Sequence, residues 1–413
     1  MTPAEKYYAF LDFVSPMNLM LVAELDRCLP IDQVEATWTK FTALRSLTRI
    51  RVHADLTLAD GGSAETDFDG KELPVDQWNA QLSHESLRPF GLDRPMRCRY
   101  VTSPDEGRAR LVLIAHHSVV DGRVGIADLQ NFIRALDGQD IPPQNSLSIA
   151  HPSPKSFPWQ ADRKELVSML RGITARNDEA GPLEPTVWDH PDAPRRPRFF
   201  SLTLEGADAA GLLAGAKANQ ARAYPAIAAG WLVTVAKRMC EGTIPTVQLA
   251  TPVDLAVPSD DPDRATSPVV SVISTRHQVS PEAPWELARG VMTKVTAAMD
   301  RGEGELFFHL NRAKNIQDLD AGARLVSHAL ASAPPALSVT NLGIVDPGSD
   351  PEWLHSMCGY IPATPNQMVF VSGLGYRGRL VHSVSTDDSQ VGPEAAGGMV
   401  TEYCDVVRGM GLN

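Results

Sequence analysis

The apolar run Leu111–Ala115, which leads directly into His116 and His117, constrains the fold more than any other part of the chain. Such a run is typical of a buried strand, and the Asp121-Gly122 pair that follows indicates a turn. A strand of this kind delivers an imidazole to the edge of a sheet, where a substrate can reach it. Because the ordinary pKa of histidine, about 6.5, suits proton transfer near neutral pH, we interpret the segment as the carrier of a general base.

The length and composition are those of a folded protein with two domains. The chain has 413 residues, of which 43% are hydrophobic and 21% are charged, and a domain commonly takes about 100–200 residues. No apolar run reaches the length of about 20 residues that a membrane span needs. The segment Met1–Lys6 lacks the features of a signal peptide. We therefore expect a cytoplasmic protein without a membrane span.

Cysteines and net charge exclude several other classes of protein. The five cysteines lie far apart and form no Cys-x-x-Cys pair, which argues for a reducing compartment and against disulfides or a zinc site. The net charge of −12 argues against nucleic-acid binding. Contact with an anionic carrier would need a local basic patch.

The periodicity of apolar residues predicts alternating helices and strands in the first 140 residues. Ile31, Val34, Trp38 and Phe41 fall on one face of a helix. The predicted elements are helix Glu5–Phe13, strand Met17–Asp26, helix Ile31–Leu44, strand Arg49–His53, the histidine strand and helix Gly125–Leu136.

Proline is dense between residues 141 and 197, which indicates a connection between domains with one helix near Lys164–Thr174. We accordingly divide the chain into an N-terminal lobe (1–140), this connection (141–197) and a C-terminal lobe (198–413). The elements predicted for the C-terminal lobe are strands Arg198–Leu204, Thr246–Leu255, Pro268–Thr275, Ala336–Val345, Met368–Gly373 and Leu380–Thr386, and helices Ala207–Gln220, Ala226–Cys240, Pro284–Met299, Glu305–Lys314 and Glu394–Val407. Helix Ala226–Cys240 is apolar on nearly all sides, which predicts burial.

The pattern His-His-x-x-x-Asp-Gly at residues 116–122 resembles the signature of the chloramphenicol-acetyltransferase-like superfamily. This group includes condensation domains and stand-alone acyltransferases of the phthiocerol dimycocerosyl transferase type. The stretch Glu85–Tyr100 is similar to the one that precedes the motif in condensation-type domains, and the order of elements through Leu136 also matches.

The resemblance implies an α/β fold of two chloramphenicol-acetyltransferase-like lobes that form a V around a central channel. A segment within 344–367 would cross over to complete the first lobe's sheet. The implied activity is acyl transfer from a thioester to a hydroxyl or amine, in the biosynthesis of secondary metabolites or complex lipids. The donor would be acyl-CoA or a phosphopantetheine-linked acyl group on a separate acyl or peptidyl carrier protein, and no bound cofactor is expected.

The resemblance also assigns roles to individual residues. His117 would be the general base, while His116, Asp121 and Gly122 would support the site structurally. Asp121 would pair with an arginine, but Ala256 stands where the family pattern often has that arginine. Arg123 and Arg264 are candidate replacements, and another residue could also take this place.

The segment Ser338–Gly343 resembles the second-lobe site strand of the stand-alone acyltransferases. Asn341, Ser338 or Thr340 would therefore contact the oxyanion or the acceptor. The plant-type Asp-Phe-Gly-Trp-Gly motif is missing.

The same residues allow other interpretations. The fold could serve as a carrier-protein-docking or scaffold module without turnover, or His117 could catalyse another proton transfer, such as cyclisation or elimination on a tethered intermediate. A metal site at the histidine pair is not expected, because adjacent residues on a strand point to opposite faces. The G-x-G-x-x-G pattern at Gly373–Gly378 precedes a strand rather than a helix, which predicts a hairpin turn. No G-x-S-x-G elbow is present.

Overall fold

The computed structural model describes residues 3–53, 56–60, 67–90, 96–144, 163–184, 194–240, 244–255, 270–306, 316 and 318–412. Ala256, Arg264 and most of the expected helix Glu305–Lys314 lie outside these residues. The division of the chain into segments 1–140, 141–197 and 198–413 stays a prediction.

The predicted helices and strands that lie within the described residues occur in the predicted order, and helices Trp78–Ser86 and Leu319–Ser332 and strands Leu58–Asp60, Asp67–Glu72 and Met96–Ser103 were not predicted. The described helices are α1 (Pro3–Asp12), α2 (Ile31–Leu44), α3 (Trp78–Ser86), α4 (Gly122–Leu136), α5 (Arg163–Glu179), α6 (Gly206–Ala218), α7 (Ala223–Met239), α8 (Pro284–Asp300), α9 (Leu319–Ser332) and α10 (Pro393–Leu412). The described strands are β1 (Asn18–Leu25), β2 (Ile50–Val52), β3 (Leu58–Asp60), β4 (Asp67–Glu72), β5 (Met96–Ser103), β6 (Arg108–His116), β7 (Pro197–Leu204), β8 (Thr246–Asp254), β9 (Val270–Gln278), β10 (Ala336–Val345), β11 (Leu354–Tyr360), β12 (Gln367–Tyr376) and β13 (Arg379–Asp387).

The strands form two main sheets. Sheet 1 has the order β11-β1-β6-β5-β4, and sheet 2 has the order β7-β13-β12-β10-β8-β9. One apolar core joins sheet 1 to α2 and α4, and a second core joins sheet 2 to α6, α7, α8 and α10. The expected α/β class is confirmed. None of the described helices is long and apolar enough to cross a membrane.

Two helices show why the apolar pattern was informative. In α2, Val34, Trp38 and Phe41 are buried as predicted, and Ile31 is half-buried at its first turn. Helix α7 is buried on nearly all sides, because it packs against sheet 2, α8 and α10. An apolar surface all round a helix is stable in water only when neighbours cover every side.

Strand β11 comes from the second half of the chain but completes sheet 1. It pairs with β1 in antiparallel register, with Leu21 opposite Gly359 and Met20 opposite Tyr360. The expected crossover segment is therefore confirmed. Arg195 adds a second tie between the halves, since its guanidinium contacts Asp387, Ser15 and the Ala363 carbonyl.

Strand β5 was not predicted, because arginines alternate with other residues along it. Arg97 and Arg99 are nevertheless buried. Arg99 donates to Glu85 at 2.8 Å and to Asp67 at 2.8 Å, and paired charges can be buried where isolated ones cannot. The missing signal was the pairing partner, which lies elsewhere in the sequence.

The G-x-G-x-x-G segment forms the predicted hairpin. Strands β12 and β13 pair in antiparallel register, with Tyr376 opposite Arg379. The turn between them contains Arg377 at φ 48° and Gly378 at φ 75°. Left-handed backbone of this kind is common in two-residue hairpin turns, and no helix follows to receive a dinucleotide.

The second core contains a histidine that has no polar partner among the described residues. His382 on β13 is fully buried, and neither of its ring nitrogens makes a hydrogen bond there. Its ring lies 5.3 Å from that of Tyr403 on α10. Burial lowers the pKa of His382 to about 4, so the imidazole is neutral near neutral pH.

Acid is expected to destabilise the protein through His382. The unfolded chain binds a proton there below the ordinary pKa of 6.5, whereas the folded protein does so only near about 4. Stability should therefore fall as the pH drops through this window. In urea unfolding at about pH 7.5 and about pH 5, His382→Leu should reduce the acid-induced loss by about 1–2 kcal/mol.

Replacement of the exposed His328 by Leu is the matched control and should keep the wild-type difference between the two pH values. An equal acid-induced loss in the His382→Leu variant would contradict the assignment. At about pH 7.5 that variant should be no less stable than the wild type, because it removes buried polar atoms that lack partners.

Candidate active site

The candidate site begins where β6 ends. The strand is buried between β1 and β5 and stops at His116. The chain then turns tightly, since the backbone N–H groups of Val119 and Val120 both donate to the His116 carbonyl, at 2.9 and 3.2 Å. Helix α4 starts at Gly122. The histidine pair thus sits at the junction of a buried strand and a helix, as the sequence predicts.

His117 is held in one tautomer. Its Nδ1 lies 3.1 Å from the Val120 carbonyl oxygen. Because a carbonyl oxygen can only accept, Nδ1 carries the proton and Nε2 keeps a free lone pair. The imidazole stacks on Tyr8 with ring centroids 4.5 Å apart and an angle of 10° between the planes. Burial lowers the pKa of His117, which keeps the ring neutral.

His116 points elsewhere and has the opposite tautomer. Its Nδ1 accepts from the Ser118 backbone N–H at 3.0 Å and lies 2.8 Å from the Ser118 hydroxyl. The proton is then on Nε2, which lies 3.9 Å from an Asp12 carboxylate oxygen. Burial lowers the pKa of His116 to about 3. His116 therefore contacts both the turn and Asp12 at the end of α1.

Asp121 caps a helix. Its carboxylate accepts from the backbone N–H groups of Arg123 and Val124, at 3.0 and 2.9 Å. Burial raises the pKa of Asp121, and the Val124 and Arg123 N–H groups oppose that rise. An Asp at this position satisfies the otherwise unpaired donors of the first helical turn.

The expected pair between Asp121 and an arginine is not formed with any arginine in the described part of the chain. Arg123, one of the two candidates, instead contacts Asp254 of β8 at 3.0 Å, and Arg264 lies outside the described residues. The helix cap replaces the ion pair as the reason for an aspartate here.

Gly122 makes room for a neighbouring side chain and does not serve an unusual backbone conformation. A Cβ at this position would lie 2.7 Å from Leu342 Cδ2, and the φ of Gly122 is not in the left-handed region. Leu342 belongs to β10 of sheet 2. The start of α4 therefore touches the second lobe directly beside His117.

A cavity of about 470 Å³ lies between the two lobes. The first lobe contributes His117, Asp121 and Gly122 together with residues of α1. The second contributes residues of β8, β9, β10 and β12. Residues two apart on a strand share a face, as Ala336, Ser338 and Thr340 do, but toward the His117 end consecutive residues of β8 and β10 line the cavity. The lining of the cavity includes Tyr8, His117, Asp121, Gly122, Arg123, Gln248, Ala250, Asp254, Leu330, Ala333, Ala336, Ser338, Thr340, Asn341, Leu342, Gly359, Gln367 and Ser372.

Ser338, Thr340 and Asn341 all line this cavity, so the structure brings them to the same space as His117. Ser338 is buried, and its hydroxyl accepts from Gln367 Nε2 at 2.8 Å. Thr340 is half-buried. Asn341 is exposed, and its Oδ1 accepts from the Gly343 N–H at 2.9 Å. The Asn341 NH₂ group makes no hydrogen bond to the described residues.

Tyr8 and Gln248 are among the lining residues that were not anticipated from the sequence. Tyr8 lies on α1, and its contact with His117 joins parts of the chain that are far apart in sequence. Gln248 faces the cavity from β8. Its position between Val247 and Leu249 in a predicted strand was a usable signal, since an amide at the alternate position of an apolar strand faces the other side.

Helix α1 is seated on α9 by a close contact. A Cβ at Gly322 of α9 would lie 2.2 Å from Phe10 Cδ1 on α1. The Phe10 ring is fully buried. Since Tyr8 is on the same helix, the contact between Phe10 and Gly322 fixes the aromatic face against which His117 stacks.

Comparisons with solved structures show the fold. The chain is similar to polyketide synthase associated protein 5 from Mycobacterium tuberculosis, with 16% identity, 98% of this chain and 96% of that chain covered, and a TM-score of 0.64. It is also similar to trichothecene 15-O-acetyltransferase from Fusarium sporotrichioides, with 9% identity, 98% of this chain and 94% of that chain covered, and a TM-score of 0.70. The first condensation domain of the calcium-dependent antibiotic synthetase is similar as well, with 13% identity, 100% of this chain and 96% of that chain covered, and a TM-score of 0.68.

Epimerization and cyclization domains of peptide synthetases are also similar in structure. No protein-family model matches the chain, and no curated protein matches it by sequence. The chain has the two-lobed chloramphenicol-acetyltransferase-like fold of condensation domains, and the expected fold is confirmed.

Gly322→Ala should displace α1 and disturb the site. The buried Phe10 ring has little room to move, so the added methyl group should cost about 1–3 kcal/mol of unfolding free energy. Turnover should fall as well, because Tyr8 shifts with α1. Chemical denaturation and steady-state kinetics would measure the two effects.

Gly290→Ala on α8 is the matched control, since a Cβ there meets no atom within 4 Å. It should raise stability by about 0.5–1 kcal/mol through helix propensity and leave turnover unchanged. Similar stability changes in the two variants would contradict the proposed packing of Phe10 against Gly322.

Proposed function

We propose that this protein, which has the two-lobed condensation-domain fold, is an acyltransferase with His117 as its general base. The acyl group would come from a thioester, either acyl-CoA or a phosphopantetheine-linked group on a separate carrier protein. The acceptor would be the hydroxyl or amine of a small molecule. Relatives in fold that are named as an acetyltransferase and a condensation domain support this class of reaction.

One observation carries the proposal. His117 lines the cavity between the lobes, and the hydrogen bond from its Nδ1–H to the Val120 carbonyl leaves Nε2 as a proton acceptor. The lowered pKa keeps that nitrogen unprotonated near neutral pH. A neutral imidazole of fixed orientation beside a substrate-sized cavity is what general-base catalysis needs.

The reaction follows from this geometry. His117 Nε2 takes the proton of the acceptor hydroxyl as its oxygen bonds to the thioester carbonyl carbon, which gives a tetrahedral oxyanion. The oxyanion collapses, the carbon–sulfur bond breaks, and the departing sulfur takes the proton from the imidazolium. The products are an ester and a thiol, and no acyl-enzyme is needed.

The second lobe would stabilise the oxyanion. Asn341 has an NH₂ group without a partner in the described structure, and Thr340 and Ser338 have hydroxyls that face the same cavity. A donor that points to the developing charge is worth most in the transition state. We propose Asn341 as the donor, with Thr340 and Ser338 as the alternatives.

Removal of the base should abolish most of the activity. His117→Ala should lower turnover by roughly 10²–10⁴, the usual worth of a positioned general base. The products of a panel of acyl-CoA and carrier-bound donors with alcohol acceptors would be measured by mass spectrometry. Because the pKa of His117 is lowered, the acid limb of the pH profile of kcat/KM in the wild type should have an apparent pKa below 6.5, the ordinary value for histidine.

His328→Ala, at an exposed histidine on α9 outside the cavity, is the matched control and should keep full turnover. The folded state of both variants would be checked by circular dichroism. Near-normal turnover in folded His117→Ala would overturn the mechanism.

Asn341 can be tested with two substitutions that separate its possible roles. Asn341→Ala should lower kcat by about 10², if the NH₂ group donates to the oxyanion. Asn341→Asp keeps an oxygen for the Gly343 N–H but has no donor, so it should lose at least as much activity. Full activity in Asn341→Asp would show that the residue serves only the turn, and Thr340→Val and Ser338→Ala would then be measured.

A further inference from the structure

The cavity between the lobes is nearly free of charge. Among its described lining residues, the charged side chains are Asp121, Arg123 and Asp254. Arg123 and Asp254 contact each other at 3.0 Å, and the Asp121 carboxylate binds the first N–H groups of α4. All three lie at the end of the cavity where α4 begins and β8 ends. The rest of the described lining is neutral.

Gln248 is a buried residue whose side-chain amide has no hydrogen-bond partner among the described residues. It is 8% exposed, lines the cavity, and makes no side-chain hydrogen bond to any described residue. A primary amide offers two N–H donors and an accepting oxygen, and the amide atoms of Gln248 are accessible from the cavity because they are not among the fully buried polar atoms without a partner. A ligand group in the cavity would satisfy them.

Gln367, in the same part of sheet 2, shows the contrast. Its Nε2 donates to Ser338 Oγ at 2.8 Å, and its Oε1 accepts from the Thr364 N–H at 2.8 Å. Gln367 pairs with Ala336 of β10, and Leu249, the residue after Gln248, pairs with Leu337 of β10. The two glutamines therefore flank Ala336, but the structure satisfies one amide and leaves the other open to the cavity.

The distance between Gln248 and the His117 loop defines the length of a bound molecule. Gln248 lies beside Ala336 on the neighbouring strand. Ala336 and Thr340 are four residues apart on β10, which corresponds to ~13 Å at the rise of a strand. The His117 loop meets β10 just beyond Thr340, where Gly122 touches Leu342. A molecule that spans both places is an extended chain.

The walls between these two places leave room for such a chain. Ala250, Ala336 and Ser338 present small side chains from sheet 2, and Leu330 and Ala333 present apolar ones from α9 and the residue after it. None of these five side chains can neutralise a charge. An ionised group would lose its hydration there without an ion-pair partner.

We infer that the cavity binds an uncharged, extended substrate and that Gln248 recognises a neutral hydrogen-bonding group, such as a hydroxyl or amide, at the end of the chain remote from His117. This inference rests on the proposed function only in placing the reacting end at His117. It assigns a specificity-determining role to a residue outside the histidine motif.

Equilibrium binding tests the inference without requiring turnover. Four probes share a ten-carbon chain with a hydroxyl at one end and carry at the other end a methyl group, a hydroxyl, a carboxylate or an ammonium. Isothermal titration calorimetry with the wild type should show the diol binding several-fold more tightly than the simple alcohol. The two charged chains should bind at least ten-fold more weakly than the diol.

Two variants sharpen the result. Gln248→Leu is similar in size and should weaken the diol to the level of the simple alcohol without changing binding of the alcohol itself. Gln248→Glu should reverse the preference and favour the ammonium chain. Melting temperatures near that of the wild type would show that both variants are folded.

Equal binding of charged and uncharged chains by the wild type would overturn the inference, and so would an unchanged preference in Gln248→Leu. The same titrations on His117→Ala show whether the preference for the diol is independent of the base. If the wild type prefers the diol but transfers an acyl group from no donor, the proposed acyl transfer fails and the role of Gln248 stands.

Discussion

The tight connection between β6 and α4 is the constraint on which the site depends. Within a few residues the chain leaves a buried strand, turns and starts a helix, and three acceptor groups of the turn have defined partners. The Val120 carbonyl accepts from His117, the Asp121 carboxylate caps α4, and the His116 carbonyl accepts two backbone N–H groups. The orientation of the catalytic candidate is therefore a property of the turn rather than of a separate charged partner.

This arrangement gives two adjacent histidines different chemistry. His117 is protonated on Nδ1 and presents Nε2 to the cavity side, whereas His116 accepts at Nδ1 and directs its Nε2 toward Asp12. The difference arises from which backbone group each ring meets, a carbonyl for His117 and an N–H for His116. A carboxylate partner for His117, which many acid–base sites use to fix the tautomer, is replaced here by a peptide carbonyl.

Much of the fold followed from the sequence because apolar periodicity reports burial. The pattern predicted α2 and α7 closely, and the crossover segment was expected between residues 344 and 367. Strand β5 was missed because its arginines are neutralised by Glu85 and Asp67, and no local pattern reveals such partners. At the site, the motif placed His117, Asp121 and Gly122 together, but the cap at Asp121, the stack on Tyr8 and the open amide of Gln248 depend on contacts between distant segments.

The crossover of β11 has a consequence for how the chain reaches its final structure. Strand β1 lies between β6 and β11, so one edge of this almost wholly buried strand stays uncovered until residues near position 354 have been made. An apolar strand with a free edge readily pairs with other chains. During synthesis, the first half of the chain has this exposed edge until β11 has been made. The first lobe is thus not a self-sufficient folding unit, and the order of synthesis makes its completion one of the late steps of assembly.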